Sequence, residues 1–354
     1  MERILIKNGR VFDGNDFTCK DIFTKNGVIS KIEPNITDDA DFVFDADGMI
    51  VSPGLVDTHV HIKGLSSDKF GINAEMSCLP FVVTAAADAG SSQGDRAFLD
   101  RLAVKNVVFA AQSLEEELDF KNTERLLEKY GDKAIGLKVY FDTEISDVKD
   151  IKPLEQVCVY ARKKGIKVMV HCSNSPASMA DIVKTLSSGD ILTHIYHGGE
   201  KNCTENDFEA FKVARERGVI MDAGFAGHVH TDFRILSQAI SKGFLPDTIS
   251  TDITKLSAYK RGGRYGMTMC MSMMRALGVS EEEIFKRVTR NPAVALGKEK
   301  EWGVLCVGRA ADIAVFDYAN EGFDLTDKAG NNFGSERGYR CVLTVSDGQI
   351  IYKD

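Results

Sequence analysis

Short runs in which hydrophobic and polar residues alternate occupy both ends of the chain. The dipeptides that separate these runs are Asn8-Gly9, Asn26-Gly27, Asp47-Gly48 and Asp347-Gly348. Asn-Gly and Asp-Gly supply the positive φ of tight hairpin turns, so the runs are predicted to be β-strands. Neither end holds enough strands to bury a core alone. We therefore predict that residues 1–52 and 303–354 together form one small, discontinuous β-sandwich domain.

Residues 53–302 have a different pattern, in which apolar runs of strand length alternate with amphipathic stretches of helix length. The segments AIGLKVYF, PLEQVCVYARKKG, IKVMVHC and SMADIVKTLSSG follow one another in this way. Such repetition predicts βαβ units around a parallel sheet, and about 250 residues of it suit an α/β fold of the (β/α)8 TIM-barrel type. A doubly wound open sheet is the competing topology, and the lack of GxGxxG after the first strand disfavours it.

Four of the seven histidines stand where predicted strands end. His59 and His61 follow the run GLVDT, His171 ends IKVMVH, and His194 ends DILTH. Residues i and i+2 of a strand share a face, so the first two point the same way. A single histidine in such a place is more often structural than a ligand. Four of them at the carboxyl ends of barrel strands would meet at one mouth, where barrel active sites lie.

A carboxylate and an amine join this group. Asp252 ends the apolar run DTISTD, where a helix N-cap is the structural alternative. Lys138 lies inside AIGLKVYF, and an ammonium buried there without a partner would be costly. It either pairs with a carboxylate or is held as a neutral amine, which can react. Reaction with CO2 would convert it to a carbamate, an anionic oxygen ligand able to bridge two metal ions.

Composition and charge narrow the classes of function. The 354 residues carry 44 Lys and Arg against 52 Asp and Glu, and without a basic run we expect no nucleic-acid partner. No stretch reaches the roughly 18 apolar residues of a membrane span, and the first residues lack a signal-peptide pattern. The eight cysteines show neither CxxC pairs nor zinc-finger spacing. Free thiols and a cytoplasmic location are therefore expected.

These residues resemble the amidohydrolase superfamily, specifically its binuclear branch with a carboxylated lysine. The matching positions are His59-x-His61, Lys138, His171, His194 and Asp252, at strands 1, 4, 5, 6 and 8 of the predicted barrel. The stretch RVTRNPAVALG…GVLCVGRAADIAVFD is similar to that superfamily's return from barrel to sandwich. The segments GFLPDTISTDI and YGMTMCMSMM are similar to its dihydroorotase-like and deacetylase-like members.

The resemblance implies two divalent ions, foremost Zn2+, with Mn2+, Fe2+ or Co2+ as alternatives. It assigns His59, His61, Lys138 and Asp252 to the more buried ion, and Lys138, His171 and His194 to the second, with Lys138 carboxylated by CO2. It also implies that a hydroxide between the ions attacks a polarised carbonyl, with Asp252 acting first as general base and then as acid.

Two positions depart from family patterns that bear on the substrate. Dihydroorotases of this kind usually carry an arginine two residues after the HxH pair, where this chain has Lys63. Lysine offers a point charge without a bidentate fork, which disfavours true dihydroorotase activity. Deaminases place a glutamate three residues after the strand-5 histidine, where this chain has Asn174, so base deamination is disfavoured. A solvated lysine and a loop cap are the structural alternatives at these two positions.

Further candidate substrate contacts lie on loops near the predicted mouth. They are His197, His228, Arg264 and Tyr265. An arginine in such a loop could grip an anionic substrate. Solvated loop residues are the plainer interpretation of His228 and of its neighbour His230.

The sequence thus predicts a metal-dependent hydrolase that cleaves an amide or ester bond of a small acyl compound, in the manner of a deacetylase or aminoacylase. A cyclic amidase of the dihydroorotase or hydantoinase kind is the alternative enzyme. A non-catalytic scaffold is the alternative from another class, although such relatives lose metal ligands and this chain keeps all six. We expect a small-molecule substrate, no membrane partner and a homo-oligomer.

Overall fold

The computed structural model describes residues 3–115, 118–260, 264–319 and 321–354. Its strands are β1 (Ile4–Phe12), β2 (Phe17–Lys25), β3 (Val28–Glu33), β4 (Phe42–Asp45), β5 (Ile50–Pro53), β6 (Leu55–Val60), β7 (Val83–Ser91), β8 (Lys105–Ala111), β9 (Ala134–Tyr140), β10 (Lys167–His171), β11 (Ile191–Thr193), β12 (Ile220–Asp222), β13 (Ile313–Ala319), β14 (Phe323–Thr326), β15 (Asn332–Ser335), β16 (Gly338–Ser346) and β17 (Gln349–Lys353).

Helices fill most of the intervals between the central strands. They are α1 (Ala74–Cys78), α2 (Arg96–Leu99), α3 (Phe120–Tyr130), α4 (Lys152–Lys164), α5 (Met179–Thr185), α6 (Glu209–Arg217), α7 (Phe233–Ser241), α8 (Lys255–Lys260), α9 (Met267–Ala276), α10 (Glu281–Val288) and α11 (Arg290–Ala295). None of these described helices has the length and apolar character that a bilayer crossing requires. All eight cysteines are unpaired.

Strands from both ends of the chain meet in one mixed, eight-stranded sheet. Its order is β17-β16-β13-β5-β1-β2-β3, and β4 also pairs with β1. Strand β5 joins the two ends, because it runs parallel to β1 and antiparallel to β13. The two facing layers of a sandwich, and the domain boundaries after residues 52 and 302, stay predictions.

The turn dipeptides have two different roles in this sheet. Asn26-Gly27 and Asp347-Gly348 have positive φ at both positions and connect adjacent antiparallel strands, as predicted. Asn8-Gly9 does not form a turn, so that prediction is wrong. It lies inside β1 at an irregularity in the pairing with β2. There the Asn8 amide donates to Asp21 at 2.8 Å, which satisfies a donor that the irregular register leaves free.

The central strands form a parallel sheet in chain order, β6 to β12. The two edges of this sheet meet through residues 248–253, which form parallel bridges from Thr248 to Asp222 on β12 and from Ile253 to Val60 on β6. The amide of Asp252 donates to the His59 carbonyl at 2.8 Å on the same edge. A curled parallel sheet joined in this way fits the predicted TIM-like barrel and does not fit the open doubly wound alternative.

An aromatic cluster packs the sheet of the chain ends against the helices of the central region. Phe285 of α10 lies at its centre and is fully buried. Its ring centroid is 5.7 Å from that of Phe12, 5.4 Å from Phe17, 5.4 Å from Phe316 and 5.8 Å from Tyr339. Two of these rings come from the N-terminal strands and two from the C-terminal strands, so one helical residue contacts both chain ends.

We expect Phe285→Ala to lower the free energy of unfolding by about 3–5 kcal/mol, because the cavity would lie where both chain ends meet. Phe285→Leu should cost less, since it keeps most of the buried volume. Val294→Ala on the neighbouring helix is the matched control, because Val294 is 51% exposed. Urea unfolding followed by circular dichroism measures the three variants. Equal midpoints for Phe285→Ala and Val294→Ala would contradict the role of this cluster.

Candidate metal centre

The six predicted metal ligands converge at the carboxyl ends of the parallel strands. Lys138 lies within β9, and His171 is the last residue of β10. His59 lies near the end of β6, with His61 just beyond it; His194 directly follows β11, and Asp252 lies in the segment that joins the sheet edges. All six side chains are buried, with Lys138 fully so. Strand alternation and the common polarity of the strands therefore place them as the sequence predicted.

Asp252 lies at the centre of this group. Its Oδ1 atom is 3.2 Å from His59 Nε2 and 2.9 Å from His61 Nε2. Its Oδ2 atom is 3.8 Å from His194 Nε2. Lys138 Nζ is 3.2 Å from the same His59 nitrogen. The ligand atoms of His59, His194 and Asp252 all lie within 4.8 Å of one another, close enough to share one cation.

A second group of ligand atoms adds a residue that the sequence interpretation missed. Atoms of His171, His194 and His230 also lie within 4.8 Å of one another. The ring of His230 is 4.8 Å from that of His171 and 4.4 Å from that of His194, centroid to centroid. His230 is therefore not the solvated loop residue that we expected. Its spacing from His228 repeats the His59-x-His61 pattern, which is the signal that could have indicated it.

Each predicted histidine ligand is held by one ring nitrogen, so the other can face the cluster. His59 Nδ1 is 3.1 Å from the Thr193 hydroxyl, and His61 Nδ1 is 3.3 Å from the Ser66 hydroxyl. The other two bonds join His171 Nε2 to Asp142 at 3.0 Å and His194 Nδ1 to the Gly224 carbonyl at 2.6 Å. Such outer hydrogen bonds select the tautomer and orientation of a ligating imidazole.

Buried carboxylates form a layer behind these histidines, and the sequence analysis did not single them out. Asp142 follows β9, Asp222 ends β12, and Asp88 lies within β7. Asp88 accepts hydrogen bonds from the Ile62 amide at 2.5 Å and from Ser66 at 3.4 Å, and Ser66 contacts His61. Acidic residues that end or interrupt apolar strand runs were the available signal. These buried carboxylates hold in place the side chains and backbone that orient the ligating histidines.

The electrostatics of the cluster favour neutral imidazoles around an ionised carboxylate. Burial holds the pKa values of His59 and His194 well below their usual range. Burial raises the pKa of Asp252, but the rings of His59 and His61 beside its Oδ1 atom outweigh this effect and keep the pKa below its usual value. Burial also lowers the pKa of Lys138 to about 8, although two carboxylates oppose the shift. Metal binding requires these deprotonated forms of histidine and aspartate.

A buried nitrogen atom without a hydrogen-bond partner also indicates that this group of side chains suits a divalent cation. His194 Nε2 is buried and has no hydrogen-bond partner within the described part of the chain. A buried polar atom without a partner is costly unless another species satisfies it. His194 and Asp252 also adopt left-handed backbone, with φ of 68° and 45°, a strain that clusters at functional sites. Imidazole nitrogens with carboxylate oxygen suit Zn2+ and its first-row neighbours.

A cavity of about 580 Å³ opens over this cluster. Five of the six predicted ligands line it together with His230, namely His59, His61, His171, His194 and Asp252. Its outer wall contains apolar side chains and two charged ones, Lys69 and Glu144. The volume suits a small molecule, within the usual range of ligand pockets.

Three of the predicted substrate contacts, Lys63, Arg264 and Tyr265, do not line this cavity. Lys63 is exposed outside it, and Arg264 is also exposed. Tyr265 is fully buried and donates its hydroxyl proton to the Thr251 carbonyl, so it supports the segment that carries Asp252. The positions of loop side chains depend on how each loop turns, which spacing from a ligand does not reveal.

Two further predicted contacts line a neighbouring cavity instead. Asn174 donates to Asp142, at 3.2 Å from its amide and 3.4 Å from its side chain, so it supports the carboxylate that holds His171. His197 is buried and accepts a hydrogen bond from the Gly199 amide at 3.1 Å. Both line a cavity of about 300 Å³ that shares Val229 and His230 with the cavity over the cluster. The side chain of His228 lies outside the described residues.

A parallel, barrel-like sheet with histidines and a carboxylate gathered at its carboxyl end defines the class of barrel enzymes whose mouths can hold divalent metals. The profile of the Amidohydrolase family matches residues 50–351, and the chain belongs to this family. The predicted superfamily and the prediction of an amidohydrolase-type enzyme, acting on C–N bonds, are thereby confirmed.

Two relatives of similar sequence and one solved structure of similar fold extend the comparison. The chain is 28% identical over 330 residues to the deacetylase Atu3266 of Agrobacterium fabrum, covering 87% of this chain and 80% of that protein. It is 26% identical over 369 residues to a deacetylase of Enterococcus faecalis, covering 98% of each. A solved dihydroorotase structure superposes with a TM-score of 0.85 at 24% identity, covering 100% of this chain and 98% of that one, a likeness of fold.

We expect Asp142→Asn to weaken zinc binding by about 10- to 100-fold, as loss of an outer partner of a ligating histidine typically does. Burial raises the pKa of Asp142, but the hydrogen bond with His171 and backbone amides outweigh it and hold the pKa at about 2. The native carboxylate is thus ionised, and an amide would remove its charge. Competition titration with a zinc chelator measures the affinity. Exposed Asp150→Asn is the control, and equal affinities in the two variants would contradict the role of Asp142.

Proposed function

We propose that this chain is a zinc-dependent hydrolase that removes an acyl group from a small N-acyl or O-acyl compound. The carrying observation is the convergence of neutral histidines, an ionised Asp252 and the buried Lys138 beneath one small cavity. His59, His61, Lys138 and Asp252 would hold one ion, and Lys138, His171 and His194 the other. When bound, the two ions would supply a hydroxide nucleophile and polarise the scissile carbonyl.

Asp252 is suited to move the proton in this reaction. Its carboxylate is ionised and lies 2.9 Å from His61 and 3.2 Å from His59, at the inner end of the cavity. A carboxylate in that state accepts a proton as general base and returns it to the leaving nitrogen or oxygen as general acid. Burial holds the pKa of His59 well below its usual range, so this neighbouring imidazole does not compete for the proton.

Lys138 would act as a bridging carbamate. Its amine is fully buried and lies beside His59 Nε2, where an ammonium has no carboxylate within 4.0 Å among the described residues. Its lowered pKa increases the fraction of neutral amine near neutral pH. The amine nitrogen would bond to the carbon of CO2 and lose one proton, which leaves an anionic carbamate with two oxygen donors.

Deacylation is favoured over two alternatives. Two relatives named deacetylase are 28% and 26% identical over most of the chain, whereas a relative named dihydroorotase that matches along its whole length is 23% identical. A cyclic amidase would open a ring and yield one product, while deacylation yields two molecules. A non-catalytic scaffold has no need of the buried donors that this chain keeps. A cytoplasmic location, a homo-oligomer and a small-molecule substrate without nucleic acid or membrane belong to the same proposal.

We expect the zinc-loaded protein, prepared with bicarbonate, to release two products from an N-acetyl amino acid or an O-acetyl hydroxy acid. Asp252→Asn should lower kcat by at least about 10²-fold, because the proton acceptor is lost. Exposed Asp150→Asn is the matched control. Chromatography of the products from N-acetyl amino acids, O-acetyl hydroxy acids and cyclic ureides measures the outcome. Turnover of cyclic ureides alone would overturn deacylation in favour of the cyclic amidase.

We expect Lys138→Met to lose bound zinc and activity together, because methionine cannot form the bridging carbamate. Inductively coupled plasma mass spectrometry measures the metal, and native mass spectrometry of the unaltered protein should show the mass increment of one CO2. Lys152→Met is the control, since the Lys152 side chain is 78% exposed. Full zinc content and full activity in Lys138→Met would show that the bridging assignment is wrong.

A further inference from the structure

Four large apolar side chains that are partly open to solvent surround the mouth of the cavity over the cluster. Phe70, Ile145, Val229 and Leu256 are 42%, 54%, 37% and 48% exposed, and all four line this one cavity. Phe70, Ile145 and Val229 lie in the connections that follow β6, β9 and β12, and Leu256 lies in α8, just after the segment 248–253. We name these four residues the apolar collar. Large apolar side chains concentrated around one opening indicate a surface that an apolar ligand covers.

The two charged side chains at the same mouth, Glu144 and Lys69, differ in whether an opposite charge lies nearby. Of the two charged side chains on the outer wall, Glu144 lies 3.9 Å from Lys328, so its charge is partly compensated. Lys69 has no carboxylate within 4.0 Å in the described part of the chain, and its ammonium lies 5.4 Å from the ring centroid of Phe70. Asp252, at the inner end, is surrounded by the histidines. Among the described residues that line this mouth, Lys69 is thus the cation available to an anionic ligand.

We propose that Lys69 and the apolar collar together select the substrate: an acyl compound with an apolar group beside the scissile bond and a carboxylate at the Lys69 end. This inference rests on the proposed deacylase function and names its substrate class, the N-acyl or O-acyl derivatives of apolar amino or hydroxy acids. The collar covers the apolar group, and the ammonium pairs with the carboxylate outside it. Lysine supplies a point charge, which tolerates variation in the carboxylate position.

Lys63 supplies the matched control for this assignment. It replaces the arginine that dihydroorotases usually carry after the HxH pair, and it lies on the same loop as Lys69. Its amide donates to the Ile72 carbonyl at 2.7 Å, and its exposed side chain does not line the cavity. The two lysines of this loop therefore differ in whether they line the cavity. Substitution of either one by methionine removes the same positive charge.

Binding of small probes to the zinc-loaded protein tests the proposal without turnover. Isothermal titration calorimetry compares phenylacetate, phenylacetamide and acetate with the unaltered protein, Lys69→Met and Lys63→Met. We expect phenylacetate to bind more tightly than either other probe. Lys69→Met should weaken phenylacetate binding by about 3- to 10-fold, towards the affinity of phenylacetamide, as expected for a partly exposed charge pair. Lys63→Met should leave the affinity unchanged.

The variant Leu256→Ser distinguishes the contribution of the apolar collar to binding from the contribution of the Lys69 charge. It should reduce the preference for phenylacetate over acetate while Lys69→Met still weakens phenylacetate in that background. An equal loss of phenylacetate affinity in Lys69→Met and Lys63→Met, or no loss of affinity in either variant, would overturn the role of Lys69. An unchanged preference in Leu256→Ser would overturn the role of the collar. Failure of every acyl compound to turn over would instead overturn the proposed function, because these binding measurements do not depend on hydrolysis.

Discussion

The buried carboxylate of Asp222 is the group on which the geometry of the site most depends. It accepts four hydroxyl hydrogen bonds, from Thr58 at 3.0 Å, Thr193 at 2.7 Å, Thr248 at 2.6 Å and Ser250 at 2.7 Å. These donors come from β6, β11 and the segment that joins the two sheet edges. Burial alone raises the pKa of Asp222, and an unsatisfied carboxylate at that depth would be costly. The four donors offset this cost only when all three elements are in place.

This network links the fold to the cluster through one shared hydroxyl. Thr193 contacts both Asp222 and His59 Nδ1, so the position of the sheet edges also determines the ring orientation of a proposed ligand. The strained backbone at His194 and Asp252 is sustained in the same way, by surrounding hydrogen bonds. The contact between the sheet edges therefore also helps to determine which ring nitrogen His59 presents to the cluster.

The inner end and the mouth of the cavity have different structural origins. The predicted ligands come from the parallel strands, from the residues just after them and from the segment 248–253, whereas the apolar collar and Lys69 come from the connections further out, including α8. A rigid inner end with separate loops lets one family retain a donor set while its substrates change. Substrate choice in this chain accordingly depends on residues such as Phe70 and Leu256, which no ligand motif contains.

The sequence by itself determined the alternation of strands and helices and the convergence of six side chains, because His59, His171 and His194 each end or follow an apolar strand run. It also indicated the family. Only the tertiary structure decided that Asn8-Gly9 is an irregularity within a strand, that His230 joins the cluster, and that Lys69 rather than Lys63 lines the cavity. Strand periodicity is local and fixes which way a side chain points. The path of a loop depends on contacts with distant residues, which the order of residues along the chain does not display.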